Sequence, residues 1–448
     1  MRNGRLFSGT SHPVLAQRIA NHLNISLSPV TVQRFPNQEI TVSFGISVRD
    51  QNVYIIQSGS NIVNDHVMEL VIMIRAAKMS SARKVTVIIP YYPYSKQSKK
   101  KKHRGAITAK LVADMLTVSG ADHIITLDLH AYQISGFFSV PLDNLFSRPT
   151  IANWIENNIP DYKNAVVVAK NTGGAKRVTG LADTLGINFA LIYVDNSHAK
   201  SSFSRAPSSV ALQSLPPTSE LEFRLNSQPL VSQLAIIDGD EDEDIKSDGS
   251  EIRELELEMS ELDLRPIDEI MNESDDDLDE DLVSESNASH NSPLLSHTQF
   301  KEVSKVSSNG EPAVNGANSV ISAKKHSSNP KNIVLIGDVR GKLVLLVDDL
   351  IDRPRSFLTV AEHLTENCGA KGVYIFTSHG LFNDISLEEI ENCPFVQKVI
   401  TTNSYPISNN LKETSSKLVQ IDISPLLAEA IRRNHNGESI SSLFERPI

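Results

Sequence analysis

Over the first 145 residues or so, short apolar runs alternate with longer segments of helical period. Asn52–Ile56, Val85–Ile89 and His123–Leu127 are runs of strand length, rich in Val and Ile. Between the first two, Asn64 and Asp65 set capping-type residues at the head of an apolar pattern that runs to Ile74. Ala106 to Val118 repeats the helical pattern, and its period places Ile107, Leu111, Met115 and Val118 on one face, predicted to be buried. Strands that are apolar on both sides and separated by helices predict a mostly parallel sheet.

A second round begins near Thr150. Ala165–Ala169, Phe189–Tyr193, Leu343–Val347 and Gly372–Thr377 read as strands, while Arg177–Leu185 and Phe357–Cys368 read as helices. A last helix is expected from Ser424 as cap and Pro425 at the first helical position, through Leu426 to Arg433. Two α/β units of similar plan in one chain predict a duplicated fold.

The pattern lapses between residues 199 and 330. Serines multiply, strand patterning stops, and acid blocks appear at Asp238–Asp244 and Ser274–Asp281. Such a composition cannot bury enough apolar surface to offset the entropy of ordering, so the segment is expected to be a disordered insertion. It reads either as a solvated spacer or as an arm for a protein partner. Within it, Ile252–Leu264 carries a periodic Leu/Met pattern that suits a helix folded on a partner, and Ser247, Ser250 and Ser274 stand before acids in the manner of kinase sites.

Composition adds bounds. A chain of 448 residues has room for two or three domains. Its net charge of −11 comes largely from the acid blocks and says little about a binding site. Two cysteines, Cys368 and Cys393, cannot form a disulfide framework and suit a reducing compartment. No apolar run reaches membrane-span length and the first residues lack a secretory apolar core, so a cytoplasmic protein without membrane association is expected.

The stretch with most chemistry is Val344–Ser356, an apolar run ending in Asp348 and Asp349, then a turn with Asp352, Arg353, Pro354, Arg355 and Ser356 before a helical pattern. Ligands of open α/β sheets bind at such junctions, where turn N–H groups hold phosphate and strand-end acids accept hydroxyls. Asp128 and His130 follow another strand, with Asp143 beyond the next loop. Strand alternation would set Asp128 and His130 on one side, suited to a divalent cation on a phosphate chain; the alternative is a structural histidine. Phe35-Pro36-Asn37-Gln38-Glu39 offers an amide and a carboxylate for a nucleotide, or is an ordinary turn. The run from Tyr94 to Arg104, dense in lysine, lies inside the folded unit without aromatic interleaving, so polyphosphate is a better partner for it than nucleic acid. Gly173-Gly174 before Ala175-Lys176-Arg177 opens a helix where backbone can approach an anion.

Taken together, these blocks resemble the ribose-phosphate pyrophosphokinase (phosphoribosyl pyrophosphate synthetase) family, and most of all its fungal subunits with a long non-homologous insertion. The resemblance runs from Phe7 to Leu443 outside the insertion, and includes Gln57-Ser58-Gly59, Ser378-His379-Gly380 and Ile421-Asp422-Ile423-Ser424. It implies two phosphoribosyltransferase-like (type I) α/β domains with parallel sheets. One spans 1–146, on the ATP and metal side. The other spans 147–198 and 331–448, on the ribose-5-phosphate side, and the acidic insertion 199–330 interrupts it.

The resemblance implies ATP contacts from Asn37, Glu39, Lys96, Gln97 and His130, with Asn37 and Glu39 acting across a subunit boundary. It implies ribose 5-phosphate contacts from Asp348, Asp349, Asp352 and Ser356, and Mg2+ ligands in Asp128, His130 and Asp143. Several positions depart from the family. Lys96 stands for an Arg, Lys101 and Asn171 for Asp, and Ser139 for a further acid. Val194 and Asn196 stand for the Lys and Arg that stabilise the transferring diphosphoryl group, and Arg353-Pro354-Arg355 for small residues in the phosphate loop. The implied activity is synthesis of phosphoribosyl pyrophosphate within a hetero-oligomer of paralogous subunits. The alternative is a non-catalytic scaffold of that complex whose insertion binds other proteins.

Overall fold

The computed structural model describes residues 2–100, 104–195 and 332–444. The residues up to Tyr193 and from Ile333 onward form one compact unit; a second unit, Val194–Arg265 with Ser328–Asn332, lies almost wholly outside the described residues. The expectations for the acidic insertion, its Leu/Met patch and its serines therefore also lie outside them.

A five-stranded sheet, all parallel, is built from β1 (Gly4–Ser8), β4 (Asn52–Ile56), β5 (Lys84–Ile89), β6 (His123–Leu127) and β7 (Leu142–Leu145), in that order across the sheet. An antiparallel hairpin of β2 (Val30–Arg34) and β3 (Ile40–Phe44) stands apart from it. The second sheet has seven strands in the order β10 (Asn332–Ile336), β9 (Asn188–Asp195), β8 (Val166–Ala169), β11 (Leu343–Ile351), β12 (Gly372–Gly380), β13 (Val396–Thr402) and β14 (Leu418–Ile421). From β9 to β14 they run parallel. The α/β class and the parallel sheets expected from the alternation of elements are what the chain forms.

Helices α1 (Pro13–His22), α2 (Val63–Met79), α3 (Thr108–Ser119), α4 (Arg148–Asn158) and α5 (Ala175–Leu185) connect the first strands. After the second unit come α6 (Arg355–Glu362), α7 (Asp384–Asn392), α8 (Asn409–Thr414) and α9 (Ser424–Asn436). One layer of the first sheet is closed by α1 together with α9: Leu15 and Ile19 meet Leu427 and Ile431, all fully buried, over Tyr54 and Ile56. Complete burial of such side chains contributes about 1.5–3 kcal/mol each. The last helix thus belongs to the core of the first sheet. Over the second sheet, Leu345 and Val347 of β11 pack on Ile155 of α4 and Leu181 of α5.

Five sequence expectations need correction. Asn64 and Asp65 do not cap α2, which starts at Val63 after Ile62 and has no side-chain cap hydrogen bond. The buried face of α3 is Ala109, Val112, Ala113 and Leu116, whereas Leu111 is 53% and Val118 81% exposed. Two apolar stripes share this helix, and the one with alanines lets it sit closer to the sheet. Strand β11 continues through both acids to Ile351, because β12 runs beside it, Asp348 opposite Thr377 and Ile351 opposite Gly380. Its following helix starts at Arg355 rather than Phe357, and widens into a π turn over His363–Asn367. Finally, Ser424 is helical instead of a cap; its N–H donates to Asp422 Oδ1 at 2.9 Å, so Asp422 anchors the start of α9.

Candidate active site at the facing strand ends

Asp128 leaves β6 with a φ of +40°, a backbone conformation rare for a non-glycine residue, so strand alternation does not govern where it or His130 points. Its Oδ2 accepts from Ser147 N at 2.9 Å, Ser147 Oγ at 2.5 Å and Ser378 Oγ at 2.6 Å. Ser378 lies on β12, so one carboxylate joins the end of the first sheet to the end of the second. Beside it, His379 Nε2 is 3.1 Å from the carbonyls of Leu127 and Asp128, and its Nδ1 is 2.8 Å from Ser404 Oγ. Carbonyl oxygens only accept, which puts the proton on Nε2. Burial depresses the pKa of His379 and keeps it neutral.

His130 Nδ1 lies 2.7 Å from Asp349 Oδ2. Burial opposes protonation of this imidazole, but the hydrogen bond and charge of Asp349, with Asp348 behind it, outweigh burial and raise its pKa. Asp348 and Asp349 are 8% and 4% exposed, so their charges must be matched. Lys170 Nζ sits 2.9 Å from Asp348 Oδ2, and Arg177 Nη1 lies 3.1 Å from Asp348 Oδ1 and 3.4 Å from Asp349 Oδ1. Burial pushes Asp349 upward, yet Arg177 and His130 hold it well below the ordinary carboxylate range. For Asp348 burial prevails: it and the Asp349 charge raise the carboxyl against the pull of Lys170 and Arg177.

Around this centre, Lys96 Nζ is 2.8 Å from Asp352 Oδ2, which ties the basic loop to the turn after β11. Gln97 Oε1 accepts from Thr108 Oγ1 at 2.6 Å, at the start of α3. Lys101 lies outside the described residues. Ser356 is buried in the first turn of α6, Pro354 precedes that helix in helical conformation, and Arg355 is exposed, 4.0 Å from Glu389. Asn171 Oδ1 accepts from Gly174 N at 3.0 Å and so caps the turn before α5. Val194 is on β9, and Asn196 lies outside the described residues.

Two expected groups stand elsewhere. Asn37 and Glu39 are exposed in the β2–β3 hairpin turn, where Asn37 Oδ1 accepts from Glu39 N at 3.2 Å, and neither side chain bonds to Lys96, Gln97 or His130. Asp143 Oδ2 is 2.7 Å from His123 Nε2, so it does not join Asp128 and His130. Among the described residues no three His, Cys, Asp or Glu side chains gather in a metal-holding group. Asp128 Oδ1 and His130 Nε2, both without hydrogen bonds to the described residues, are a two-donor set that suits a hard cation only if a ligand supplies the other oxygens.

Arg177 and Ser378 lay within blocks quoted from the sequence but without these roles, and Lys170 and Ser147 had no place in the sequence reading. Of the latter two, only Lys170 left a trace, as a lone charge directly after the apolar run Val166–Ala169.

Comparison with known proteins decides the family. Residues 4–120 match the N-terminal domain of ribose phosphate pyrophosphokinase, and residues 280–445 match the phosphoribosyl synthetase-associated domain. The chain is 41% identical to ribose-phosphate pyrophosphokinase 1 of Saccharomyces cerevisiae over 450 residues, covering 99% of each chain. The chain belongs to the ribose-phosphate pyrophosphokinase family. It is also 41% identical to ribose-phosphate pyrophosphokinase 1 of Schizosaccharomyces pombe over 447 residues, covering 100% of each. The crystal structure of phosphoribosylpyrophosphate synthetase from Mycobacterium smegmatis superposes with a TM-score of 0.63 at 25% identity, over 97% of this chain and 99% of that one. Both yeast relatives match essentially end to end, so a segment of similar length to 199–330 is shared by these members of the pyrophosphokinase family.

Proposed function

We propose that this chain is a subunit of a ribose-phosphate diphosphokinase that works in a hetero-oligomer with paralogous subunits. The reaction joins the anomeric hydroxyl oxygen of ribose 5-phosphate to the β-phosphorus of ATP. The bond from that phosphorus to the α–β bridging oxygen breaks, the hydroxyl proton is lost, and AMP and 5-phosphoribosyl 1-diphosphate leave. The observation that carries this reading is the His130–Asp349 hydrogen bond at 2.7 Å, which sets an ATP-side residue against the sugar-side acids. Such a site acts mainly by alignment and charge matching.

Lys96, Gln97 and His130 bind the nucleotide, with Asn37 and Glu39 from the hairpin of a neighbouring subunit. Asp348, Asp349, Asp352 and Ser356 orient the pentose phosphate. Asp128 and His130 are the residues that would hold Mg2+ with the substrate's phosphate oxygens, and the ion would supply neutralisation of the polyphosphate charge. In this reading residues 1–146, with α9 packed on their sheet, form one lobe, 147–198 and the rest of 331–448 the other, and 199–330 the insertion. The protein is cytoplasmic, and its product supplies nucleotide, histidine and tryptophan synthesis.

A scaffold role is the second reading, favoured by Pro354 and Arg355. Proline removes an N–H from the phosphate loop, and Arg355 begins α6 directly after it, where small residues would leave a cradle. The purified chain, alone and mixed with a paralogue whose motifs are intact, distinguishes the two by AMP release dependent on ribose 5-phosphate. Low turnover alone and a gain in the mixture are expected. Robust turnover by the lone chain would remove the case for a shared site, and an unchanged mixture would leave the scaffold.

A further inference from the structure

Lys170 is the one lysine that is buried among the described residues, 2% exposed. Strand register explains its place: Ala169 of β8 lies opposite Val347 of β11, so the next residues, Lys170 and Asp348, are neighbours across the two strands. Its ammonium is 2.9 Å from Asp348 Oδ2 and 4.1 Å from the centre of the Phe357 ring on α6, which supplies a cation–π face.

Every oxygen of the acid pair is engaged by nitrogen. Asp348 Oδ2 meets Lys170, and Asp348 Oδ1 meets Arg177 and accepts from Asp349 N at 2.9 Å. Asp349 Oδ1 meets Arg177, and Asp349 Oδ2 meets His130. The two acids are thus met by the side-chain nitrogens of Lys170 and Arg177. A divalent ion there requires about six oxygen ligands and a surplus of negative charge. The neighbouring Asn171 offers none, since it is neutral and its Oδ1 holds Gly174 N.

We propose that Lys170 is a positioning residue that stands in for a divalent cation at the Asp348–Asp349 pair, fixing these carboxylates toward the pentose hydroxyls without metal. This rests on the assignment of the pair to ribose 5-phosphate. The family's metal requirement is then confined, in this chain, to the Asp128–His130 side. A fixed ammonium needs no dehydration on substrate entry, but unlike an ion it cannot leave, so the sugar side is insensitive to free metal concentration.

The test counts Mn2+ bound by the full-length chain without nucleotide, by electron paramagnetic resonance of free Mn2+. Wild type and Asp348→Asn should bind the same number. Lys170→Met should gain one Mn2+ per chain, lost again in Lys170→Met/Asp348→Asn, while Lys170→Arg should match wild type. A folded Lys170→Met that gains no Mn2+ would overturn the proposal. If Lys170→Met does not fold, the first pair decides: equal counts support it, and a Mn2+ missing from Asp348→Asn refutes it. Calorimetric binding of ribose 5-phosphate to wild type is the separate check. Its absence would sink the sugar assignment while leaving the Mn2+ counts as they stand.

Discussion

His130 and Asp349 lie 219 positions apart in the chain, yet their side chains meet at 2.7 Å. Because Asp349 raises the His130 pKa above the ordinary 6.5, the folded protein holds this proton more tightly than the unfolded chain. The stabilisation is fully present below pH 6.5 and is lost as pH rises through the higher folded value. An NMR titration of the His130 ring should show a midpoint above 6.5. In Asp349→Asn the midpoint should drop; an unchanged one would disprove the coupling.

His12 behaves in the opposite sense. It is 8% exposed, its Nε2 is 2.9 Å from the carbonyl of Asn403, and burial lowers its pKa to about 4. The unfolded chain therefore binds its proton more readily, so stability is present above pH 6.5 and falls as pH drops toward 4. A shift of this size corresponds to about 3 kcal/mol. Urea unfolding at pH 7 and pH 4.5 should show His12→Gln losing less stability on acidification than wild type.

The corrected face of α3 gives a sharp contrast. Leu116, fully buried, should cost about 2–5 kcal/mol when changed to alanine, while the exposed Leu111 should shift stability by less than about 0.5 kcal/mol. Equal losses in denaturant titrations would restore the original helix face.

Ser378 links the two sheets through Asp128, and Ser147 supports the same carboxylate locally. Ser378→Ala and Ser147→Ala should each destabilise by about 1 kcal/mol, the cost of weakening the hydrogen bonding of a half-buried charged acceptor. Hydrogen exchange at the Asp128 amide should rise more in Ser378→Ala, since Ser147→Ala keeps the donor at Ser147 N.

Lys96 and Asp352 are both more than 40% exposed, so their contact should contribute less than about 1 kcal/mol to folding. Lys96→Ala should leave the melting temperature nearly unchanged and weaken ATP binding by roughly 10-fold or more, the usual loss for a charge-assisted phosphate contact. Equal ATP affinity in calorimetry would remove Lys96 from the nucleotide site.

Periodicity made the sheet strands legible: Asn52–Ile56 and His123–Leu127 were readable to the residue, because continuous apolar runs mark strands buried on both faces. It failed where two apolar stripes share one helix, as on α3, and where pairing prolongs a strand through charged residues, as at Asp348 and Asp349. The acids of the site were visible as a cluster after an apolar run. Their partners were not, since Lys170 and Arg177 reach Asp348 across more than 170 positions, and no local spacing encodes an ion pair between separate strands and helices. The turn at Asp128 was equally hidden, because nothing in Leu127-Asp128-Leu129 announces a left-handed backbone.

The docking of α9 beneath α1 bears on how a ribosome delivers this protein. Leu15 and Ile19 are translated more than 400 codons before Leu427 and Ile431, which complete their packing. One side of the earliest β-layer consequently stays only partly covered, by α1 alone, throughout most of elongation, and a nascent polypeptide halted before Ser424 should present that greasy surface to holdase chaperones.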